Sequence, residues 1–186
     1  MRTIWSVSCC ALLVSGCLLG RPDHFYALDA GRSQPLEARS NFAMQVNLRV
    51  TLPVMVDRSE MVLSSPGGVT ILEHERWAAP LSEQFSSVLG QVIEARRQGV
   101  IVTSRGIAQP DSPTTQISVD VVQLSLQQRV GATLEVRWRM QRGSDVSQGR
   151  EVFVAAAPDG NYAGLVQALD KCIGSLADRL VGQLPQ

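Results

Sequence analysis

Cysteine and histidine are the side chains here best suited to ligate a metal or act as nucleophiles, and their spacing excludes most of that chemistry. The two histidines, His24 and His74, lie fifty positions apart, and three of the four cysteines, Cys9, Cys10 and Cys17, crowd the N-terminus. A zinc site needs three or four nitrogen or thiolate ligands, so no metal is expected. In Glu73-His74-Glu75 the histidine of an extended strand faces away from both neighbours, so the three cannot converge on one ion. No Gly-x-Ser-x-Gly elbow, Walker loop or dinucleotide fingerprint occurs, and Ser65-Pro66-Gly67-Gly68 lacks the lysine of a phosphate loop. Acidic residues are numerous, but nothing singles out a pair for acid–base work. No catalytic residue and no cofactor is expected, and the chain reads as a non-enzyme.

Cys17 is different because of what precedes it. Arg2 opens the chain, an apolar run extends from Ile4 to Val14, and the small residues Ser15 and Gly16 lead directly into Cys17. A charged start, a short apolar core and small residues before a cut describe a secretory signal, and the run is too short to span a bilayer. An ordinary signal with a cysteine near the cut would look similar. The string Leu13-Val14-Ser15-Gly16-Cys17 resembles the lipobox of bacterial lipoproteins. That resemblance implies cleavage between Gly16 and Cys17, a diacylglyceryl thioether on the thiol, and two or three acyl chains in all. Each buried methylene contributes about 0.8 kcal/mol, and two chains anchor stably where one does not. The expected organisation is a signal peptide over 1–16, a lipidated tether over 17–23 and one domain over 24–186.

Removing 1–16 takes away only Arg2, leaving 16 basic against 17 acidic side chains and a formal charge of −1. All basic residues except Lys171 are scattered arginines, which argues against nucleic acid and against a polybasic membrane patch. The remaining 170 of 186 residues suit one domain with a sizeable core. Cys172, the other cysteine of the mature chain, has the apolar helical neighbours Leu169, Ile173 and Leu176, so it is expected to be buried.

The domain has to be built from a sheet and two helices. His24 to Leu28 reads as a short strand, and Asp29 to Ser40 as a loop. Val46, Leu48, Val50, Leu52, Val54 and Val56 alternate as a strand with one buried face, interrupted at Pro53, beyond which Val54 to Val56 starts a new segment. Met61–Ser64 and Val69–Glu73 flank a turn and predict a hairpin. Leu81, Phe85, Val88, Leu89, Val92 and Ile93 predict an amphipathic helix after Pro80, with Gly99 as its stop and Val100 to Thr103 as a strand. Ile117, Val119 and Val121 alternate and then change phase to Val122, Leu124 and Leu126, as an inserted bulge residue would cause. Ala132 to Met140 answers as the second arm of a hairpin, its polar face being Thr133, Glu135, Arg137 and Arg139, and Arg150 to Ala156 adds a strand. A closing helix runs from Leu165 to Val181, capped by Asp159 or Asn161. The fold class is a single α/β (α+β) domain with a mostly antiparallel sheet and two main packing helices.

Two segments carry a further signal: Leu52-Pro53-Val54-Met55-Val56-Asp57-Arg58, and Arg76-Trp77-Ala78-Ala79-Pro80-Leu81. Together with Tyr26-Ala27-Leu28 and Arg137-Trp138 they resemble the PqiC/YmbA lipoproteins, an auxiliary component of ABC-type transport systems, over nearly the whole mature chain. Ala79, Val56 and Ser59 depart from the usual acidic residue, leucine and proline of that family. The resemblance implies an accessory lipoprotein that works with an MCE-domain transenvelope protein of the PqiB type to move lipid between membranes. Leu18 after the lipidated cysteine implies the outer membrane, facing the periplasm, rather than the inner membrane. A homo-oligomer around a tubular partner is compatible with it. A lipid-binding carrier and an assembly lipoprotein for an outer-membrane protein are the alternatives. The motif residues Leu52, Pro53, Asp57, Arg58, Trp77, Pro80 and Leu81 read as structural, with Asp57 and Arg58 capping a turn and Trp77 anchoring the core. The interface is expected on exposed loop and edge surface.

Overall fold

A computed structural model describes residues 21–29, 44–103, 114–157 and 159–184. Among these, the elements follow as β1 (His24–Tyr26), β2 (Met44–Thr51), β3 (Glu60–Ser65), β4 (Gly68–Trp77), α1 (Leu81–Arg96), β5 (Val100–Thr103), β6 (Thr114–Gln127), β7 (Gly131–Arg142), β8 (Asp145–Ala156) and α2 (Tyr162–Val181). The α/β class and the two packing helices are as the hydrophobic periods predict. The strands, however, divide between two sheets: five in the order β5-β2-β6-β7-β8, and three in the order β1-β4-β3. The long ladders, β6 with β7 and β7 with β8, are antiparallel. β2 runs parallel to both of its neighbours, β5 and β6.

One face of the larger sheet is apolar because alternate residues point the same way. Val46 and Leu48 of β2, Ile117, Val119 and Val121 of β6, and Leu134, Val136, Trp138 and Met140 of β7 are all buried. α1 covers β2 and β5, and α2 covers β7 and β8. Phe85, Leu89 and Ile93 from α1, and Leu165, Leu169 and Ile173 from α2, are fully buried beneath them. Each such side chain contributes about 1.5–3 kcal/mol by leaving water. The phase change in β6 is a bulge, with the register shifting between Val121 and Gln123 so that Leu124 and Leu126 return to the apolar face.

Two segments differ from their sequence expectation. Val54 to Val56 forms a turn and no strand: Pro53 has no N–H for a ladder, and its carbonyl accepts from Val56 N–H at 3.0 Å and Asp57 N–H at 3.1 Å, folding the chain back. β8 begins at Asp145, five residues earlier than Arg150, because the tight turn at Gly143 (φ +57°) lets pairing start with Arg142. Of the two candidate caps for α2, Asn161 takes the role, its side chain accepting from Gly164 N–H at 2.6 Å. Cys172 is buried as expected. Its sulfur lies 3.7 Å from the Ala132 carbonyl, and burial pushes the thiol up to about 11. No helix among the described residues is long and apolar enough to cross a membrane.

Candidate functional site

Gly16 and Cys17, the expected cleavage and lipidation positions, lie outside the described residues. The family-motif residues do not, and the fold brings both motif segments to one junction.

The N-terminal turn of a helix presents backbone N–H groups with no intrahelical acceptor. In α1 the cap position is Pro80, whose side chain can accept nothing. Asp57 takes its place from 25 positions upstream, Oδ1 accepting from Ser82 N–H at 3.0 Å. A carboxylate there also meets the positive end of the helix dipole. The Pro53 turn therefore has a physical purpose, since it aims Asp57 at the start of α1. Asp57→Ala is expected to lower unfolding stability by about 1 kcal/mol, and Asp57→Asn by much less, because the amide oxygen still accepts. Urea unfolding of the three chains checks this; equal midpoints would show that α1 does not depend on the borrowed cap.

The rest of the junction closes around Trp77, which is 3% exposed. Its backbone N–H donates to the Ser59 carbonyl at 2.8 Å, and Ala78 N–H donates to Tyr26 at 2.8 Å. Arg58 donates to Glu60 at 2.9 Å and Arg76 donates to the other oxygen of the same carboxylate at 3.2 Å. The Arg58 hydrogen bond, helped by the Glu60 backbone and Ser59, holds the Glu60 carboxyl down at about 2. Leu81 and Val56 are buried, Leu52 packs against the core, and Val54 (91% exposed) and Met55 (56%) form the tip of the turn. Of the motif residues, then, Asp57 caps α1 and not the turn, Arg58 pairs locally with Glu60, and Trp77 and Leu81 are buried, while the tip faces solvent.

The entry strand is fastened to the same region. Leu28 N–H donates to Gln84 of α1 at 2.9 Å, and Asp29 N–H donates to Asp170 of α2 at 3.0 Å. Tyr26 sets its ring edge-on to Tyr162, with centroids 6.5 Å apart, and donates its hydroxyl to Glu75 at 2.7 Å. Burial first, then the Glu75 hydrogen bond, pushes the Tyr26 phenol up to about 12. Burial likewise pushes Asp170 up to about 6 against the pull of the Asp29 N–H. A carboxyl raised above its usual 3.8 is protonated more firmly in the folded chain. Its contribution to stability is complete below about pH 4 and is lost as pH rises through about 6. Asp170→Asn is expected to remove that loss and raise stability near neutral pH by about 1 kcal/mol, a value reduced for partial exposure of the group. Urea midpoints of both chains at about pH 4.5 and about pH 7.5 check it; a gain at the acid value alone would refute it.

The two histidines come onto neighbouring strands but point to opposite faces: His24 meets Glu75 at 3.2 Å and His74 meets Asp23 at 3.0 Å. No group of three metal-ligating side chains occurs among the described residues. One cluster escapes a linear reading. Arg49, Arg137, Arg139 and Arg150 come from three strands and gather on the outer face of the five-stranded sheet. The exposed phase of β7, Arg137 and Arg139, was its only sequence signal. Strand order decides which other arginines join them.

The family model for the ABC-type transport auxiliary lipoprotein component matches residues 26–181. Solved structures share the fold, two of them as follows. A crystal structure of an uncharacterised protein is 14% identical, with a TM-score of 0.73, covering 88% of this chain and 99% of that one. A Xanthomonas campestris protein of the DUF330 family is 16% identical, with a TM-score of 0.63, covering 86% of this chain and 93% of that one. No curated protein matches the chain.

Proposed function

The chain belongs to the family of ABC-type transport auxiliary lipoprotein components, and on that premise we propose that it is a non-enzymatic accessory subunit of a transenvelope lipid-transport system, lipidated on Cys17. In this reading it sits in the outer membrane facing the periplasm and docks an MCE-domain protein of the PqiB type. The observation that carries it is the family match over 26–181, which spans both halves of the motif junction. The lipobox-like string ending at Cys17 supports the anchor. If Cys17 is the first residue of the mature chain, the six residues from Leu18 to Asp23 reach only about 20 Å even when fully extended. The folded body then works close to its membrane, with the exposed surfaces of the sheets free to meet a partner.

The test is an in-cell crosslink and affinity pull-down of the tagged full-length chain beside Cys17→Ala, read by mass spectrometry. Recovery of an MCE-domain protein by the wild type, with loss of membrane attachment in Cys17→Ala, is the expected result. Recovery of an outer-membrane protein alone would replace docking by an assembly role, and membrane retention of Cys17→Ala would remove the anchor from the account.

A further inference from the structure

The face of the five-stranded sheet turned away from α1 and α2 carries a hollow of about 630 Å³. Cross-strand register builds it from two adjacent rows: Arg49, Ser118, Arg139 and Gln148, then Thr51, Asp120, Arg137 and Arg150. Neighbouring strands are about 4.8 Å apart, so four guanidinium stems rise within a span of about 15 Å. Like charges placed directly opposite each other destabilise a sheet, and Arg137 stands directly opposite Arg150. Asp120 relieves the first at 3.0 Å and Glu135 relieves the second at 2.5 Å. Arg49 and Arg139 have no carboxylate partner among the described residues. Four guanidinium groups against two carboxylates leave the hollow positive in a chain with no net charge.

Beside the hollow the edge strand of the same face carries exposed valines, paired across β7 with Glu135 and Thr133. Along β8 the outward residues after Arg150 are Val152 and Val154, 58% and 71% exposed. A cationic hollow running into an exposed apolar strip matches an amphiphile with an anionic head. We propose that the hollow binds the phosphodiester head group of an anionic phospholipid, with Arg49 and Arg139 on the phosphate and an acyl chain lying along Val152 and Val154. The planar guanidinium fork suits phosphate oxygens, and Ser118, Thr51 and Gln148 offer hydrogen bonds to a polyol such as glycerol. The volume lies within the range of about 300–1,000 Å³ usual for ligand sites. An acidic peptide would satisfy the arginines but has no use for the valine strip.

The proposal rests on the lipid-transport reading only for the lipid's role as cargo. Binding is measured on the isolated chain, so it stands or fails separately from partner recovery. The experiment is native mass spectrometry of the full-length lipidated protein, released from non-ionic detergent micelles doped with phosphatidylglycerol or phosphatidylcholine. The expected result is one phosphatidylglycerol per chain, little phosphatidylcholine, and binding weakened about tenfold or more in the Arg49→Gln/Arg139→Gln double variant. Both side chains are exposed and make no ion pair among the described residues, so that variant should keep the wild-type thermal transition, which is recorded alongside. Equal binding by the double variant, or equal retention of phosphatidylcholine, overturns the proposal. So does competition by inorganic phosphate at equal concentration, which would mark a free-phosphate site, or preferred capture of a glutamate-rich peptide, which would mark a protein dock.

Discussion

Gly131→Ala should destabilise the domain by about 3–5 kcal/mol, a large share of the about 5–15 kcal/mol that holds a typical domain folded. Gly131 opens β7 at φ +136°, a backbone conformation that a side chain disfavours. A Cβ there would also stand 2.0 Å from the Ala155 carbonyl oxygen and 2.9 Å from Ala156 Cα. Those are backbone atoms of β8, paired directly with the start of β7, so no side chain can swing away to make room. Relief would require β8 to separate from β7 and from α2 beneath it. The strain and the overlap add because both fall on one atom. Thermal and urea unfolding of the variant decide the matter, and a midpoint within experimental scatter of wild type would mean that the turn accommodates a methyl group. Gly143→Ala, at a turn with positive φ (+57°) but nothing within 4 Å of the new Cβ, serves as the control that isolates conformational strain. It should cost about 1 kcal/mol.

Trp77→Ala should be nearly as damaging, at about 3–5 kcal/mol, the usual cost of removing a buried aromatic ring. Trp77 is the last residue of β4, and its backbone joins two separate parts of the chain: β1 through Tyr26, and the segment after the Pro53 turn through Ser59. Deleting the buried ring leaves a void in the core, and rigid neighbours close such voids only in part. Trp77→Phe should recover about half of the loss, since most of the apolar volume returns. If the alanine chain were as stable as wild type yet failed to recover a partner, Trp77 would be a contact residue and the structural account of the motif would be wrong. The expected order is the reverse: Trp77→Ala impairs folding, and Val54→Ser, at the exposed tip of the turn, leaves stability unchanged within about 0.5 kcal/mol.

The parts legible in the sequence are those written by local periodicity. Ala132 to Met140 declares a strand with one dry face, the phase slip at Val122 declares a bulge, and the 3–4 spacing from Leu81 to Ile93 declares a helix. Burial of Cys172 follows from its helical neighbours Leu169, Ile173 and Leu176. What no local pattern carries is which strand lies beside which. The division into two sheets and the parallel placement of β2 depend on contacts between residues far apart in sequence. The same limit hid the arginine hollow, since Arg49 joins Arg139 only through the intervening Ser118. It also hid the purpose of Asp57. A carboxylate 25 positions before the Ser82 N–H it accepts from does not look like a helix cap until Pro53 is seen to turn the chain. Val54 and Val56 continue the alternation of β2 in letters only, because a proline carbonyl redirects the backbone before they can pair.

β2 is among the first strands along the chain, yet in the finished sheet it has a neighbour on either side. Gln45 pairs with Ile101 on one side and with Thr114 on the other, so both ladders wait for chain made much later. Closing such long loops is paid in entropy before any pairing is gained, which makes acquisition of this sheet slow compared with its two helices. A chain threaded out of the cell interior N-terminus first would expose the apolar side of β2, Val46 and Leu48, with nothing to cover it until more than half of the protein had emerged. Such an interval is one in which a holding chaperone has the most to offer, and in an exported chain it would make maturation sensitive to the pace of export as well as to final stability.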